Sequence, residues 1–386
     1  MKKNRPKPSG FSRASTLRVP SRLWIMLAAC CALPALPGCT PVRHHAQPFA
    51  LVRPAAETEA TLSPDDAADD PAIWVYPTDP SLSLVFGSDK DAGVGVYALS
   101  GERLSFEQVG SINNIDVVTM PAPDGEAVHL LGGTAVDANA VYFWSIDTDT
   151  RTITRVDAGG VVSTLPDVYG FALAAFGYEV VALTTSKAGL VEVLRIAWDK
   201  GVVRATPVAT VPVGTQLEGV VADPLTMSVF VGEEGVGIWR YDLPRKTGGR
   251  PDWARFGSAR RLVDTCADTQ GRGHLISDVE GLAIWAPDRF LDPRNGYLIA
   301  SSQGDDRYAV YERAHPNKYV GSFRIAGRDG IDGTTHTDGI AACAQPIGPA
   351  FPLGLFIAQD DDNAPETQNF KLVDWREIKE AIRRGR

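Results

Sequence analysis

The segment SDVEGLAIW, residues 277–285, places two carboxylates immediately before a run of apolar residues. Asp278 and Glu280 are two positions apart, so both side chains lie on one face of the chain if it is extended there. Like charges at this spacing repel each other, and the repulsion grows where water is partly excluded. The segment therefore predicts a place where carboxylates bind cations or hold protons at the start of a buried strand.

The same pattern recurs along the chain as an acidic residue or Tyr, usually followed by Gly, at the start of an apolar strand. Successive copies begin 46 to 62 residues apart, a spacing typical of propeller blades rather than of helical repeats. The copies are DPAIWV from Asp70, DVV from Asp116, YGFALA from Tyr169, EGVVA from Glu218, EGLAIW from Glu280 and DGIAA from Asp338. We therefore predict an all-β fold, a six-bladed β-propeller, with one short C-terminal helix at residues 374–384.

Each copy is followed by a second apolar strand that ends in a short polar or small triplet. These triplets include SDK at residues 88–90, TSK at 185–187, GEE at 232–234, SSQ at 301–303 and AQD at 358–360. Equivalent positions in equivalent blades point toward one axis. A six-bladed ring would thus gather the last residue of each triplet and the repeated acids at one channel mouth. Those last residues are Lys90, Lys187, Glu234, Gln303 and Asp360.

Grouped carboxylates without nearby Cys or His form a hard oxygen site, which favours calcium first and magnesium second. The six histidines show no metal-ligand spacing, so zinc is not expected. Lys90 and Lys187 on the same rim add point charges of the kind that bind phosphate. Metal, carboxylates and lysines together indicate hydrolysis of a phosphate ester. The alternative is an ordinary propeller rim, because acidic turns with a lysine nearby are common in such folds.

The first 38 residues have the composition of an export signal rather than of a folded domain. They carry seven Lys or Arg and no Asp or Glu. Their apolar run, residues 23–33, is as long as a signal-peptide core and too short for a stable membrane span. The following LPGC matches a bacterial lipoprotein cleavage site with Cys39 as the lipidated residue, although Pro37 is unusual there. We predict a signal peptide at residues 1–38 and a periplasmic or outer-membrane-anchored lipoprotein; ordinary secretion with cleavage nearby is the alternative.

Residues 39–64 are rich in Pro, Ala and Thr and predict a linker, after which the propeller domain occupies residues 65–386. Loss of the leader removes seven positive charges and changes the formal net charge from −9 to −16. Such an acidic protein is not expected to bind nucleic acid, and an anionic substrate would need metal to offset the charge. Cys266 and Cys343 are either a disulfide pair or two free thiols. A monomer is the default expectation.

Sequence blocks from about residue 65 to the C-terminus resemble the β-propeller phytases and occur in that family's order. The blocks are DDAADDPAIWVYPTDP, NNIDVV, DVYGFAL, QLEGVVAD, GEEGVGIWRY, SDVEGLAIW, YLIASSQGDDRYAVYER, NKYV, DGTTHTDGI, PLGLFIAQDDDN and QNFKLVDW. Shared order over about 300 residues is far more specific than a single motif. The resemblance implies a 3-phytase-type phosphoric monoester hydrolase. It would use several Ca²⁺ ions to release phosphate from phytate, myo-inositol hexakisphosphate, by attack of metal-activated water.

The resemblance also implies roles for individual residues. Lys90 matches a cleavage-site phosphate binder, and Tyr169 and Lys187 match phosphate contacts at the neighbouring site. The acidic ring that holds the catalytic calcium ions is matched by Glu218, Glu234, Asp278 and Glu280. Further calcium-associated positions are matched by Asp69, Asp70, Asp332, Asp338, Gln359 and Asp360. The two carboxylates of SDVEGLAIW would accordingly be calcium ligands.

Two departures from the family pattern bear on the substrate. Many members carry a second Lys and, in the next blade, an Arg, where this chain has Asp91 and the stretch GGTAVDANA at residues 132–140. The lost positive charge predicts weaker substrate affinity, a shifted substrate preference or lower turnover. His336 also replaces an acidic residue, but the flanking Asp332 and Asp338 are expected to preserve calcium binding.

Two other functions stay open on the sequence. A propeller lactonase or esterase would also use calcium in a central channel, but a neutral ester needs no phosphate-binding lysines such as Lys90 and Lys187. A degenerate propeller would bind phosphorylated ligands without catalysis, and the missing Arg is the main argument for it.

Overall fold

The structure is a computed structural model, and it describes residues 48–121, 125–268, 271–287, 292 and 294–384. The predicted leader, residues 1–38, and the predicted anchor Cys39 lie outside the described part of the chain. Within the described part, no helix combines the length and the apolar character needed to cross a membrane.

Six mainly antiparallel sheets form the blades of a propeller, which confirms the predicted fold class. Two short strands come first in the described part of the chain, β1 (Ala50–Val52) and β2 (Ala56–Glu57). Blade 1 contains β3 (Ala68–Trp74), β4 (Leu84–Asp89), β5 (Gly93–Ala98) and β6 (Arg103–Gln108). Blade 2 contains β7 (Ile115–Pro121), β8 (Ala127–Ala135), β9 (Ala140–Ile146), β10 (Ile153–Arg155) and β11 (Val161–Val162). Blade 3 contains β12 (Phe171–Phe176), β13 (Glu179–Thr185), β14 (Leu190–Asp199) and β15 (Val202–Pro212).

The second half of the chain forms the other three blades. Blade 4 contains β16 (Leu217–Asp223), β17 (Ser228–Glu233), β18 (Gly237–Asp242) and β19 (Arg260–Thr265). Blade 5 contains β20 (Val279–Trp285), β21 (Tyr297–Ser302), β22 (Arg307–Glu312) and β23 (Tyr319–Ile325). Blade 6 contains β24 (Ile340–Cys343), β25 (Leu355–Asp360) and β26 (Asn369–Asp374). The first strands of the blades, which carry the repeated motif, contact one another in a closed ring from β3 through β24 and back to β3.

The core lies between neighbouring blades. Val181 and Leu183 of blade 3, for example, belong to one buried cluster with Val229 and Val231 of blade 4. A sheet packed on both faces needs apolar side chains on both, which explains why the second strands read as continuous apolar runs. Each fully buried Val or Leu side chain contributes about 1.5–3 kcal/mol. The blades are therefore held in place mainly by contact with their neighbours.

The two short strands that precede blade 1 contribute to the last two blades of the ring. Strand β1 pairs in parallel with β23 of blade 5, and β2 pairs antiparallel with β26 of blade 6. The backbone of Thr58 continues this contact by donating to Phe370 O at 2.9 Å. The second half of the predicted linker, residues 39–64, is thus part of two blades, and a domain start near residue 65 is too late. The sequence did not predict β1 and β2, because strands of two and three residues are too short to show an alternating pattern.

The C-terminal helix α1 (Trp375–Arg384) begins one residue after the predicted start. Asp374 ends β26, and its side chain accepts a hydrogen bond from the Arg376 backbone at 3.0 Å, as expected for a residue preceding a helix. The helix buries Trp375 and Ile378, and the Trp375 ring stacks on Trp285 of blade 5 with centroids 4.4 Å apart. The helix therefore packs against the same blade that β1 extends.

Candidate active site

Acidic side chains from different blades meet at one end of the central channel. Glu218 and Glu280 each occupy the second position of a first strand, β16 and β20, and Glu234 directly follows β17. These residues line a cavity of about 480 Å³, called the axial pocket here. The predicted site residues that line it are Lys90, Tyr169, Glu218, Glu234, Asp278, Glu280 and Asp338. The two carboxylates of SDVEGLAIW, Asp278 and Glu280, are thus one part of a ring of acids.

The glycine of the repeated motif is required by the close approach of neighbouring first strands. A Cβ atom on Gly219 would lie 2.1 Å from the backbone oxygen of Glu280, and one on Gly170 would lie 1.9 Å from that of Glu218. Both distances are far below contact distance, so any larger residue would push the strands apart. The acid of one blade can therefore sit beside the acid of the next only because Gly occupies this position.

We expect Gly219→Ala to unfold at lower temperature and to lose activity, because the methyl group would displace the backbone that carries Glu280. The cost should be about 2 kcal/mol or more, as for other overpacked sites. Thermal unfolding of the variant measures this. Gly235→Ala is the control, since no atom lies within 4 Å of a Cβ built at Gly235. Equal melting temperatures for both variants would contradict the close-approach explanation.

Three glutamates form the centre of the axial pocket. Glu218, Glu234 and Glu280 each offer a carboxylate oxygen, and these oxygens lie within 4.8 Å of one another. Glu234 Oε1 and Glu280 Oε2 are buried and make no hydrogen bond within the described structure. Buried carboxylate oxygens without donors are costly. The cluster therefore calls for positive charge that the protein itself does not supply.

The unfavourable burial of these carboxylates raises their pKa values. Burial raises the pKa of Glu280 to about 8; its hydrogen bond with Glu218 acts in the opposite direction, and the charges of Glu234 and Asp338 reinforce the rise. Burial, and then repulsion from Glu280, raises the pKa of Glu218 well above its ordinary value. The charged forms of both carboxyls are therefore disfavoured while no cation is bound. Burial and the charge of Asp69 raise the pKa of Asp338 to about 7.

The donor set tests which cation fits. All three ligand atoms of the glutamate cluster are carboxylate oxygens, and no sulfur or imidazole belongs to it in the described part of the chain. Hard divalent cations prefer such donors, whereas zinc prefers nitrogen and sulfur. The residues present fit an oxygen-ligated divalent cation, which would displace the protons and neutralise the cluster.

Lys90 lies at the edge of the glutamate cluster, directly after β4. Its ammonium Nζ is 2.9 Å from Asp66, 3.3 Å from Asp338 and 3.6 Å from Asp69. Burial alone would lower the pKa of Lys90, but the negative charges of Asp69, Asp338 and Asp66 outweigh it and raise the pKa. Lys90 therefore stays charged, and it is the only Lys or Arg among the described residues that line the axial pocket.

Tyr169 and Lys187 form the rim on the blade 3 side. The Lys187 ammonium lies 4.2 Å from the centroid of the Tyr169 ring, a cation–π contact. Burial and the nearby carboxylate of Glu218 raise the pKa of Tyr169, so its hydroxyl stays protonated and can donate a hydrogen bond. Lys187 itself is exposed and does not line the pocket.

The other predicted calcium-associated residues do not all join the axial pocket. Asp69 contacts Lys90, and Gln359 supports Asp338 by accepting a hydrogen bond from its backbone at 2.9 Å. Asp70 is turned away and accepts a hydrogen bond from the Ile115 backbone at 3.1 Å. Of these predicted residues, Asp338 lines the axial pocket, whereas Asp69, Asp70 and Gln359 are not among its lining residues.

Asp332 and Asp360 belong to a separate cluster around a fully buried lysine. The Lys371 ammonium contacts Asp332 and lies 3.1 Å from Asp360 and 2.6 Å from Glu57 of β2. The prediction that Asp360 points to the channel mouth with the other triplet residues is wrong. It fails because Asp360 is the last residue of β25 rather than the residue after the strand, as Lys90 and Glu234 are, so it points into the blade.

Four residues that line the axial pocket were not predicted to lie there: Asp66, Gln216, His336 and Asp361. Gln303, the last residue of the triplet SSQ, was predicted at the channel mouth and lines the pocket. Its side-chain amide donates to Asp338. His336 lies 3.3 Å from Asp361 at the rim, where the family pattern has an acid. Asp66 and Gln216 have no signal beyond their position in loops that precede a first strand.

A larger cavity of about 830 Å³ occupies the rest of the channel, beyond the ring of acids. Later residues of the same first strands line it, including the aliphatic side chains of Ile73, Val117 and Ile284. Its size does not make it the reaction site, because the grouped carboxylates and Lys90 lie in the smaller pocket.

The fold and the axial pocket together define the class of this protein as a β-propeller with a carboxylate-lined site at one end of its channel. The chain belongs to the Phytase family, whose sequence model matches residues 21–385. It is 36% identical over 337 residues to the 3-phytase of Bacillus subtilis (strain 168), with 83% of each chain covered. The resemblance inferred from the sequence blocks is thereby confirmed.

Some solved structures of other proteins match much of this chain at low sequence identity. A chain of the mitotic checkpoint complex is 12% identical, with a TM-score of 0.48 and coverage of 90% of this chain and 98% of that one. Hydrazine synthase of Kuenenia stuttgartiensis is 14% identical, with a TM-score of 0.45 and coverage of 80% and 83%. Similarity at this level carries no argument about function.

Proposed function

We propose that this protein is a calcium-dependent phytase that removes phosphate groups from myo-inositol hexakisphosphate. The observation that carries the proposal is the cluster of Glu218, Glu234 and Glu280 beside Lys90. Oxygen donors lacking a counter-charge fit calcium, and an adjacent ammonium fits a phosphate group. Membership of the Phytase family supports the same reading.

The carboxylates of the axial pocket would hold the metal. Glu218, Glu234 and Glu280 form the centre, and Asp278 lies on the pocket wall beside them. Calcium, when bound, supplies positive charge that polarises the phosphate group and activates the attacking water. Gln303 and Gln359 hold Asp338 in place through hydrogen bonds, so the shape of this wall is fixed before substrate arrives.

Lys90, Tyr169 and Lys187 would bind the anionic substrate. Lys90 is placed to contact the phosphate group that is removed, because its ammonium borders the glutamate cluster. Tyr169 and Lys187 lie together on the blade 3 side of the rim, where a hydroxyl donor and an ammonium can bind a second phosphate of the same molecule. A substrate with several phosphates would thus be held at two points, which orients one of them for cleavage.

We expect Lys187→Ala to bind inorganic phosphate about three- to tenfold more weakly without unfolding, because an exposed ammonium contributes binding rather than stability. The measurement is the inhibition constant of phosphate against phytate hydrolysis, together with the melting temperature. Lys246→Ala removes an exposed lysine from the loop after β18 and is the control. Unchanged inhibition in Lys187→Ala would remove this residue from the site.

The function itself is tested by phosphate release from phytate by the full chain, with and without added calcium. A lactone and a simple phosphomonoester serve as control substrates. Calcium-dependent release from phytate is the expected result. Lactone hydrolysis instead would favour the esterase alternative, and calcium-induced stabilisation without any hydrolysis would favour a binding propeller, with Asp91 and residues 132–140 as the first positions to examine.

We also propose that the protein is exported and lipidated at Cys39. The basic leader, the apolar run at residues 23–33 and the sequence LPGC support this proposal. The intact mass of protein isolated from a membrane fraction tests it. A mass that corresponds to an unmodified chain, or to cleavage at another position, would contradict lipidation.

A further inference from the structure

One carboxylate beside Lys90 differs from the others. Asp66 lies 2.9 Å from the Lys90 ammonium, closer than Asp338 or Asp69, yet its side chain is 74% exposed. Asp66 lies in the loop before β3, outside the buried ring of first strands, and belongs neither to the glutamate cluster nor to the motif positions. It lines the axial pocket together with Lys90.

We propose that Asp66 sets the affinity of the site for phosphate by occupying the Lys90 ammonium in competition with substrate. The inference rests on the proposed function, in which Lys90 binds the phosphate group. A carboxylate and a phosphate carry the same sign and accept hydrogen bonds from the same donor. Phosphate therefore reaches Lys90 only by displacing Asp66 or by sharing the ammonium with it at the cost of repulsion.

The position of Asp66 suits this role. Asp69 and Asp338 are held in place by the surrounding structure: Asp69 is buried on β3, and Asp338 receives hydrogen bonds from the side chain of Gln303 and, at its backbone, from Gln359. Asp66 is exposed, so it can turn into solvent when an anion arrives. Exposed ion pairs contribute little to stability. Release of Asp66 therefore costs the fold little and acts mainly on binding.

The local charge balance makes the effect larger in this chain. Lys90 is the only Lys or Arg that lines the pocket among the described residues, and the next residue is the exposed Asp91. The stretch at residues 132–140 adds no cation. Because Lys90 supplies the one ammonium that lines the pocket within the described residues, a carboxylate that competes for it offsets a larger share of the positive charge that an anion meets there.

The test compares inorganic phosphate binding by the full chain and its Asp66→Asn variant in calcium-containing buffer at fixed pH, by calorimetry and by inhibition of phytate hydrolysis. We expect Asp66→Asn to bind phosphate about two- to fivefold more tightly, the size of one exposed ion pair. The KM for phytate should fall by a similar factor. Asp66→Ser should behave like Asp66→Asn, because both remove the charge.

Asp65→Asn is the matched control, since it removes one exposed charge from the adjacent position and Asp65 makes no contact with Lys90. Its phosphate affinity should change by less than about twofold. Weaker binding in Asp66→Asn would show that Asp66 positions Lys90, and unchanged binding would show that it does not compete; either result overturns the inference. Tighter phosphate binding in a protein that never hydrolyses phytate would retain the inference about Asp66 and reject the proposed function.

Discussion

Glu280→Gln is expected to lose phytate hydrolysis by about a hundredfold or more, and its calcium-free form should melt at a higher temperature than the wild type. The loss follows because one of three clustered carboxylates would no longer carry charge for the metal. The gain in calcium-free stability follows because Glu280 is buried, and its pKa of about 8 shows that its charge is disfavoured there. A neutral amide of the same shape removes the repulsion with Glu234.

Calorimetric melting in EDTA and in calcium, combined with initial rates, checks both parts. In the variant, the rise in melting temperature on adding calcium should shrink, because fewer liganding charges bind the ion. Glu102→Gln, at an exposed turn between β5 and β6, is the control and should behave like the wild type. A Glu280→Gln protein that is fully active and shows the wild-type calcium response would exclude Glu280 from the metal site.

Calcium should stabilise the protein more strongly at alkaline than at acidic pH. Glu280 has a pKa of about 8 in the fold, and Asp69 and Asp338 have pKa values of about 7, chiefly because of burial. Carboxyls in the unfolded chain titrate near pH 4. Between about pH 4.5 and pH 8 the folded state thus holds more protons than the unfolded state, and its free energy of unfolding falls as pH rises. Calcium replaces these protons and reverses the loss.

The measurement is the melting temperature at pH 5.5 and pH 8.5, in EDTA and in calcium. In EDTA the groups in the axial pocket should lower stability by about 3 kcal/mol or more over this range, equivalent to about 4 °C. In calcium the fall should be smaller, and calcium binding should release protons into the buffer. A calcium-induced shift that is larger at pH 5.5 than at pH 8.5 would contradict the buried-carboxylate explanation.

The repeated motif was sufficient to predict the architecture and the centre of the site. An acid followed by Gly marks the start of each first strand from blade 4 to blade 6, namely β16, β20 and β24. The structure explains why each of the two residue types is needed there. Gly219 lets the backbone of Glu280 approach, and the acids then meet on the axis. Because the fold is a ring of similar units, a pattern along the sequence converts directly into proximity in space.

Residues in loops between the blades could not be placed in the same way. Asp332 matches a family position, but the structure brings it to the buried Lys371 and not to the axial pocket. Asp66 and Gln216 line the pocket from loops whose conformation has no periodic signal. The short strand β2 escaped notice because its pairing with β26 depends on residues more than 300 positions away, as between Ala56 and Leu372.

The pairing of β2 with β26 joins a strand that is made early in synthesis to one that is made near the end. Along the chain β1 and β2 precede the strands of all six blades, whereas their partners β23 and β26 belong to blades 5 and 6, so β1 has no partner until blade 5 has been made and β2 has none until blade 6 has been made. The axial pocket takes residues from blades 1, 3, 4, 5 and 6, as Lys90, Tyr169, Glu218, Glu280 and Asp338 show. A chain that lacks blade 6 therefore holds an incomplete site, and the complete pocket requires the strands up to β26.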